Sequence, residues 1–473
     1  MTTDLDRRII AGLRGVADEP LVVPPPAERL RARAARSGTR VPAAWRRPVL
    51  AAVAVLVLLA GVALAPALRP GGGSAPAGLP DAPTLPARFA GMSLLTAPVS
   101  KDPPGPAVAL YRQGTLGTRV GTSQVLVLGV DGRTYRRLDL AERRGAEEAD
   151  GEWSAASALL SPDGSQVVVA DDHRVSGRVE IVDLRTGRVR EIAFDPPAIL
   201  SPLAWAPDGS RVVFRLERGP FDSRWQGYRL AVLDVPAGRL GALGEYTSPD
   251  SMLGAAVSPD GTLLAVSSTS GSPTSGRIDL LDFTGAVRRT LALPEGYHLT
   301  GVNAWSPDGR LLVVQHLGAV SGGFAFVDPT GGSAPVPAPL PGLPHPAELL
   351  GWSSPDTLLV GMLDGDYEIR RTPVDGSAAR TVATISDGPG GPARVNQLRL
   401  ADGLLADLRV VDDPGGPERG PQPWWWRVLV TVAVALLGWL VFRTVRRRSA
   451  RRRRPSGSRP GPSGAPNPDV GQP

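Results

Sequence analysis

The sequence predicts an all-β fold, a six-bladed β-propeller with seven blades as the alternative, flanked by two transmembrane helices. Three observations carry this. A turn recurs at Ser161-Pro162-Asp163-Gly164, Ala206-Pro207-Asp208-Gly209, Ser258-Pro259-Asp260-Gly261 and Ser306-Pro307-Asp308-Gly309, with a worn copy at Ser354-Pro355-Asp356-Thr357 and a fainter Ala401-Asp402-Gly403. Its aspartates stand 45, 52, 48, 48 and 46 residues apart in β-rich surroundings, a period that marks a propeller-type repeat. Two apolar runs bracket the repeats, each next to arginines.

At 473 residues the chain exceeds what one ordinary core needs, so one large domain with appendages is expected. Cysteine is absent, which excludes disulfides and thiolate metal sites. The net charge of +6 is unevenly spread: residues 1–47 carry ten arginines against five acids, and residues 443–473 nine against one, so the middle nets −7. The basic charge belongs to the ends, and nucleic acid is not an expected partner of the main domain.

Taken in order, residues 1–47 read as a cytoplasmic basic segment with two short helical patterns, one through Leu5, Ile9, Leu13 and Val16 and one after Pro24-Pro25-Pro26. It is either a mostly unstructured leader or a small docking module that touches lipid headgroups through its arginines. Residues 48–68 read as a transmembrane helix: Val49 to Ala65 carry no charge, and Arg46 and Arg47 precede them at the membrane interface. A cleaved signal peptide competes, ending at Ala63-Leu64-Ala65 or after Ala75-Pro76-Ala77, but the long leader and Pro66 at the first cut favour an anchor. Residues 69–84 have linker composition, and 85–413 the short β-like runs of the repeat region.

Residues 414–423 read as a second linker and 424–442 as a second transmembrane helix, with Trp424, Trp425 and Trp426 placed like an interfacial belt and Arg427 able to snorkel. Arg443 and the arginines behind it put the C-terminal side in the cytoplasm by the positive-inside rule, and the same rule puts residues 1–47 there. The expected topology is therefore a two-pass protein of the cell membrane, both termini cytoplasmic, the acidic propeller outside, and residues 443–473 a basic unstructured tail. Membrane lipids are the first expected partner.

Each repeat reads as a strand, the turn, a second strand and a further hairpin, as in Leu203 to Trp205, Val212 to Phe214, Tyr228 to Asp234 and Arg239-Leu240. Pro162, Pro207, Pro259, Pro307 and Pro355 suit the second position of a type I turn. Asp163, Asp208, Asp260, Asp308 and Asp356 bond nearby N–H groups, and Gly164, Gly209, Gly261 and Gly309 take the positive φ that closes a bulged hairpin. One Asp-Gly per repeat does not gather the oxygens that calcium needs, so these are structural residues and no metal is expected. Trp205, Trp305 and Trp352, just before their turns, are expected to pack between blades.

These motifs resemble the TolB-type, WD-repeat-like β-propeller repeats, over roughly residues 150–413. The resemblance implies four-stranded blades around a channel and a recognition scaffold whose loops contact the ligand. Closing the ring pairs a hairpin at Ser123 to Val130 and Thr134 to Leu140 with Leu404 to Val411 at the other end, giving six blades; Ala107 to Tyr111 adds the strand that would make seven. Such closure brings residues 85 and 413 together. The arrangement, with its Ala/Arg/Pro-rich composition, resembles membrane propeller proteins of actinobacteria; in such bacteria similar arginine-rich stubs before one span occur in partners of sigma factors, so a cytoplasmic sigma-factor partner is a further expectation, although this stub lacks the His and Cys of zinc-type anti-sigma domains.

Chemistry is hard to find. No Gly-x-Ser-x-Gly elbow or following α/β domain supports a peptidase of the propeller–hydrolase type. His173, His298, His316 and His345 sit in different units without ligand spacing. Lys101 is the only lysine and has no phosphate-loop context. Arg143 to Trp153 reads as a charged, solvated loop. The expectation is a non-enzymatic module that binds a protein, peptide or glycan, with no catalytic residue, cofactor or metal. Two alternatives stand beside it: a hydrolase or lyase with a channel-mouth site at Asp172 or His173, and a structural scaffold of an envelope complex.

Overall fold

The computed structural model describes residues 82–115, 124–146, 157–172, 174–217, 228–248, 252–269, 276–316, 321–332, 335–344, 347–364, 366–385 and 393–452. The first apolar segment, Arg46, Arg47 and the last residues of the tail lie outside them. The chain divides into two compact units, Gly71–Arg427 and a second made of Met1–Pro70 with Val428–Pro473.

The larger unit is a propeller arrangement of antiparallel sheets. Four blades are separate: β13(Met252–Val257) to β16(Val287–Ala292) through β14(Leu263–Thr269) and β15(Gly276–Asp282); β17(Tyr297–Leu299) to β20(Leu340–Pro344) through β18(Leu312–His316) and β19(Ser321–Val327); β21(Ala347–Ser354) to β24(Arg380–Ile385) through β22(Thr357–Asp364) and β23(Asp366–Pro373); and the closing blade. Between the closing blade and β13, one seven-stranded sheet runs from β6(Ser157–Leu160) through β7(Gln166–Ala170), β8(Ser176–Asp183), β9(Val189–Trp205), β10(Arg211–Glu217) and β11(Tyr228–Asp234) to β12(Arg239–Ser248). Within the long β9, Val189 to Ala198 pair with β8 and Ile199 to Trp205 pair with β10.

Alternation of apolar residues on both sides of each strand lets every sheet pack face to face on its neighbours. Val213, Leu264 and Val266 share one cluster between β10 and β14, and Ile278, Leu299 and Val314 the next. Phe214 and Phe324 are fully buried, so truncating either to alanine would cost roughly 3–5 kcal/mol.

Closure differs from the expected pairing. The strand supplied by the C-terminal end is β25(Ala393–Leu400), which pairs with β3(Ala107–Thr115), followed by β4(Gln124–Gly129) and β5(Tyr135–Arg137). Leu404 to Val411 is not a blade strand. Asp402–Leu404 is a 3-10 turn, and Leu405 and Leu408 after it are buried in the core between the closing blade and the β21–β24 blade. β26(Arg409–Val411) then pairs in parallel with β1(Thr84–Pro86), Leu85 opposite Val410, so the two ends of the domain do lie together. Ala107 to Tyr111 belongs to the closing blade itself, and β2(Arg88–Phe89) adds to the edge of β24.

Two helices complete the described residues. α1(Asp139–Ala146) occupies the start of the stretch read as a charged loop; Asp139 bonds the Ser100 N–H and hydroxyl, and Arg144 pairs with Glu180, so the arginines serve packing. α2(Trp424–Arg452) contains Trp424–Thr444, the one helix among the described residues long and apolar enough to cross a membrane.

Candidate functional site

The recurrent turns are built alike. In each, the glycine N–H donates to the carbonyl three residues earlier: Gly164 to Ser161 at 2.9 Å, Gly209 to Ala206 at 2.9 Å, Gly261 to Ser258 at 2.8 Å and Gly309 to Ser306 at 2.9 Å. The glycine φ values are 69, 71, 70 and 73°. Each aspartate accepts an N–H two residues on, from Ser165, Ser210, Thr262 and Arg310 at 3.0, 2.9, 3.0 and 3.1 Å. The Ser210 N–H holds the Asp208 carboxyl below the usual range, and the Ser258 hydroxyl does so for Asp260. At Asp163 burial pushes upward, but the Ser165 N–H and two hydroxyls outweigh it. The Asp356 turn lacks glycine for a reason: Ser354 pairs directly with Thr357, leaving a two-residue loop of Pro355 and Asp356.

Trp205 and Trp305 stand where these turns begin, and each indole reaches back to a strand about one repeat earlier. The Trp205 indole N–H donates to the Leu159 carbonyl at 3.2 Å and that of Trp305 to Ala256 at 3.1 Å, while the buried Trp352 Nε1 has no partner. Above Trp205 opens a groove of about 740 Å³, walled by Asp163, Arg190, Pro207, Gly209, Val235 and Pro236. Above Trp305 a second, about 760 Å³, is walled by Pro259, Leu280, Arg288, Arg289, Pro307 and Pro329. Both volumes are in the range of ligand pockets, and both lie on the face that carries the turns.

Leu159 of β6, Trp205 of β9, Val302 and Asn303 after β17, and Leu400 and Asp402 at the end of β25 line a cavity of about 10 Å³, room for about one water. Asp402 borders this cavity and keeps some exposure, but it is largely enclosed and no cation pairs with it among the described residues, so burial raises its pKa to about 6. Nearby, Arg399 of β25 pairs with Glu348 of β21, which also accepts the Tyr367 hydroxyl at 3.2 Å.

The polar residues singled out in the sequence fare differently. Asp171 accepts the Arg174 N–H at 3.0 Å in the turn after β7; His173 and His345 lie outside the described residues. His298 and His316 do not sit in different units: they are on the paired strands β17 and β18 of one blade. The register sets Tyr297 opposite His316 and His298 opposite Gln315, so the two imidazoles point to opposite sides of the sheet. Burial lowers the pKa of His298 to about 4, outweighing its bond to the Gln315 backbone. No group of three or more metal-binding side chains occurs among the described residues. In α2, Trp424 is exposed, Trp425 and Trp426 meet edge to face at 6.1 Å, and Arg443 lies 5.1 Å from the Trp439 ring centre.

Sequence reading missed two arginines, Arg136 buried and Arg419 half-buried. Arg136, with 5% of its side chain exposed, pairs with Asp102 at 2.6 Å and Glu418 at 2.7 Å, and bonds the Asp102 and Glu418 carbonyls. Arg419 donates to Thr96 Oγ1 at 2.9 Å and the Gly91 carbonyl at 2.8 Å. Together they buckle the incoming strap, residues 84–106, to the outgoing one, 409–420. Only arginines spaced away from every repeat hinted at this.

No family model matches the chain, and no curated protein does. Among solved structures it is similar to TolB from Acinetobacter baumannii, 16% identical over 63% of this chain and 68% of that one, with a TM-score of 0.44. It is also similar to an oligogalacturonate lyase in complex with manganese, 15% identical over 62% and 77%, TM-score 0.39. A third likeness is the Cps50 (Swd1) β-propeller domain of Myceliophteria thermophila, 16% identical over 50% and 73%, TM-score 0.36. The propeller arrangement rests on the sheets described above.

Proposed function

We propose that this protein is a membrane-anchored β-propeller of six blades that binds or senses a protein, peptide or glycan outside the cytoplasm, without catalysis. The observation that carries the reading is the paired exit at Leu85 and Val410, which suits a ring tethered at both ends to one membrane. The blade count follows from reading the seven-stranded sheet as two blades that share β9, because its two halves pair with different neighbours. Three residues, Pro421 to Pro423, separate the last bonded strap residue from the apolar α2. The first apolar segment supplies the second crossing and the arginine-rich ends stay in the cytoplasm, where the N-terminal one is available to a signalling partner such as a sigma factor. Convergent acid–base pairs are missing from the described grooves: each turn aspartate is occupied by its own turn, and this favours recognition over turnover.

The chain has no cysteine, so single cysteines report topology cleanly. In sealed right-side-out vesicles a membrane-impermeant maleimide should label Arg185→Cys in the propeller and spare Ser456→Cys in the tail, and inverted vesicles should give the reverse. Labelling of both positions from one side would sink the two-pass reading.

A further inference from the structure

One groove of this ring is already filled by the chain itself, and its filling is a template for the groove that is not. The proline-rich strap Pro98-Val99-Ser100-Lys101-Asp102-Pro103-Pro104-Gly105-Pro106-Ala107 lies across the turns of the sheet that begins with β6. There the Gly105 N–H donates to the Leu184 carbonyl at 3.0 Å and the Ala107 N–H to the Gly164 carbonyl at 2.8 Å. A Cβ at Gly187 would stand 2.8 Å from the Val99 carbonyl and 3.2 Å from Pro103 Cγ, and one at Gly164 would stand 2.0 Å from the Ala107 carbonyl, so the strap is seated in direct contact.

The next repeat builds the same seat. Leu184 N–H bonds the Ser165 carbonyl at 2.9 Å, and Val235 N–H bonds Ser210 at 2.9 Å. Gly187 N–H bonds Asp183 at 2.8 Å, and Gly238 N–H bonds Asp234 at 2.9 Å. Yet among the described residues no strap lies over this second seat. A Cβ at Gly209 would meet nothing within 4 Å, and one at Gly238 would find only the Arg190 guanidinium, at 4.0 Å. The Val235 carbonyl, counterpart of the one that takes Gly105, accepts the Arg190 side chain instead. The groove above Trp305 departs from the pattern, because Pro329 there has no N–H to make the bond that Leu184 and Val235 make.

We infer that the groove between Trp205, Gly209 and Val235 is a docking site for an extended, proline-rich peptide of a partner, seated as Val99 to Ala107 are seated one repeat earlier. The peptide's backbone N–H groups go to the Val235 and Gly209 carbonyls, displacing Arg190 from the first, and its prolines lie over Gly238 and Pro236. Extended proline-rich segments suit such a groove because little chain entropy is lost on binding. This rests on the reading of the propeller as a binding module and names its ligand class and site.

The test uses the full chain in detergent micelles and a fluorescein-labelled peptide with the sequence of residues 98–107, followed by anisotropy. Saturable binding is expected. Replacing the glycine that corresponds to Gly105 by N-methylglycine, which removes the donor, should weaken it at least tenfold. Ser210→Trp, which fills the groove, should do the same, while Thr262→Trp, the equivalent insertion one turn further on, should leave binding unchanged. Arg190→Ala, which vacates the Val235 carbonyl, should tighten it about threefold. Absence of binding, or binding indifferent to the N-methyl group, overturns the proposal; the peptide arm needs no variant to fold. In-cell cross-linking of the propeller separates the two readings. A partner recovered there while the peptide fails removes the groove and leaves the binding module; no partner and no peptide binding remove both.

Discussion

At the scale of single residues, the repeated glycines are equal in φ and unequal in surroundings. Gly261 needs only its left-handed backbone, since a Cβ there meets nothing within 4 Å. Gly261→Ala should therefore cost about 1–2 kcal/mol. Gly164→Ala adds a Cβ 2.0 Å from the Ala107 carbonyl and should cost about 4 kcal/mol, because the turn must lift from the strap. Equal shifts in thermal melting for the two would contradict the close approach. A second pair of residues sets opposing pH dependences. His298, with its pKa lowered to about 4 from 6.5, is kept neutral by the fold; the unfolded chain takes up its proton first, so this stability is present above pH 6.5 and is lost as pH falls toward 4. Asp402, raised to about 6 from 3.8, keeps a proton that the unfolded chain has released; its stability is present below pH 3.8 and is lost as pH rises through 6. Each swing is about 3 kcal/mol, and between pH 4 and 6 the two offset each other. Asp402→Asn should thus make stability climb with pH across that window, His298→Gln should make it fall, and the parent protein should be flatter than both. An unchanged slope in Asp402→Asn would show that its carboxyl is not held in the protonated form.

At the scale of elements, the indoles give a matched comparison. Trp305→Phe removes the bond to the Ala256 carbonyl and should cost about 1–3 kcal/mol, whereas Trp352→Phe removes an N–H that has no partner and should cost less. Both lose the same ring area, so the difference in denaturation midpoint isolates the hydrogen bond; a larger loss at Trp352 would argue against it. The same elements show what was legible in sequence and why. The Ser-Pro-Asp-Gly turns were readable because proline, aspartate and glycine each act within four residues, and the structure gives each such turn one geometry. Strand identity at the closure was not readable. Ala107 to Tyr111 and Ala393 to Leu400 are neighbours only through a contact nearly three hundred residues long, and Leu404 to Val411, β-like in composition, turns away with Leu405 and Leu408 buried in the core. The sequence period places His298 and His316 in separate units for a related reason: it counts turns, whereas a blade boundary falls before β17, between turns.

At the scale of the whole propeller unit, the repeats supply the sheets, but non-repeating residues hold the two ends of the chain. Arg136 is the main one. Its guanidinium binds Asp102 of the incoming strap and Glu418 of the outgoing strap at once, almost out of solvent. Removing the guanidinium strips both straps of its bonds, although Asp102 and Glu418, each at least a third exposed, can turn to water. Arg136→Met should therefore lower stability by about 1.5–3 kcal/mol, and the damage should be local to the straps before it is global. The Glu418 N–H bonds the Arg133 carbonyl at 2.8 Å and its carbonyl takes the Tyr135 N–H at 2.7 Å, so the outgoing strap is an added edge on β5 whose loss leaves the blades paired among themselves. Limited trypsin treatment of the full chain in micelles trims the arginine-rich ends of both proteins; within the propeller unit it should then cut first after Arg419 in Arg136→Met and leave the parent strap intact, while strand content by circular dichroism is retained in both. If cleavage in the variant instead spreads through the blades from the outset, the straps are part of the ring's own stability, and the repeats alone do not close it.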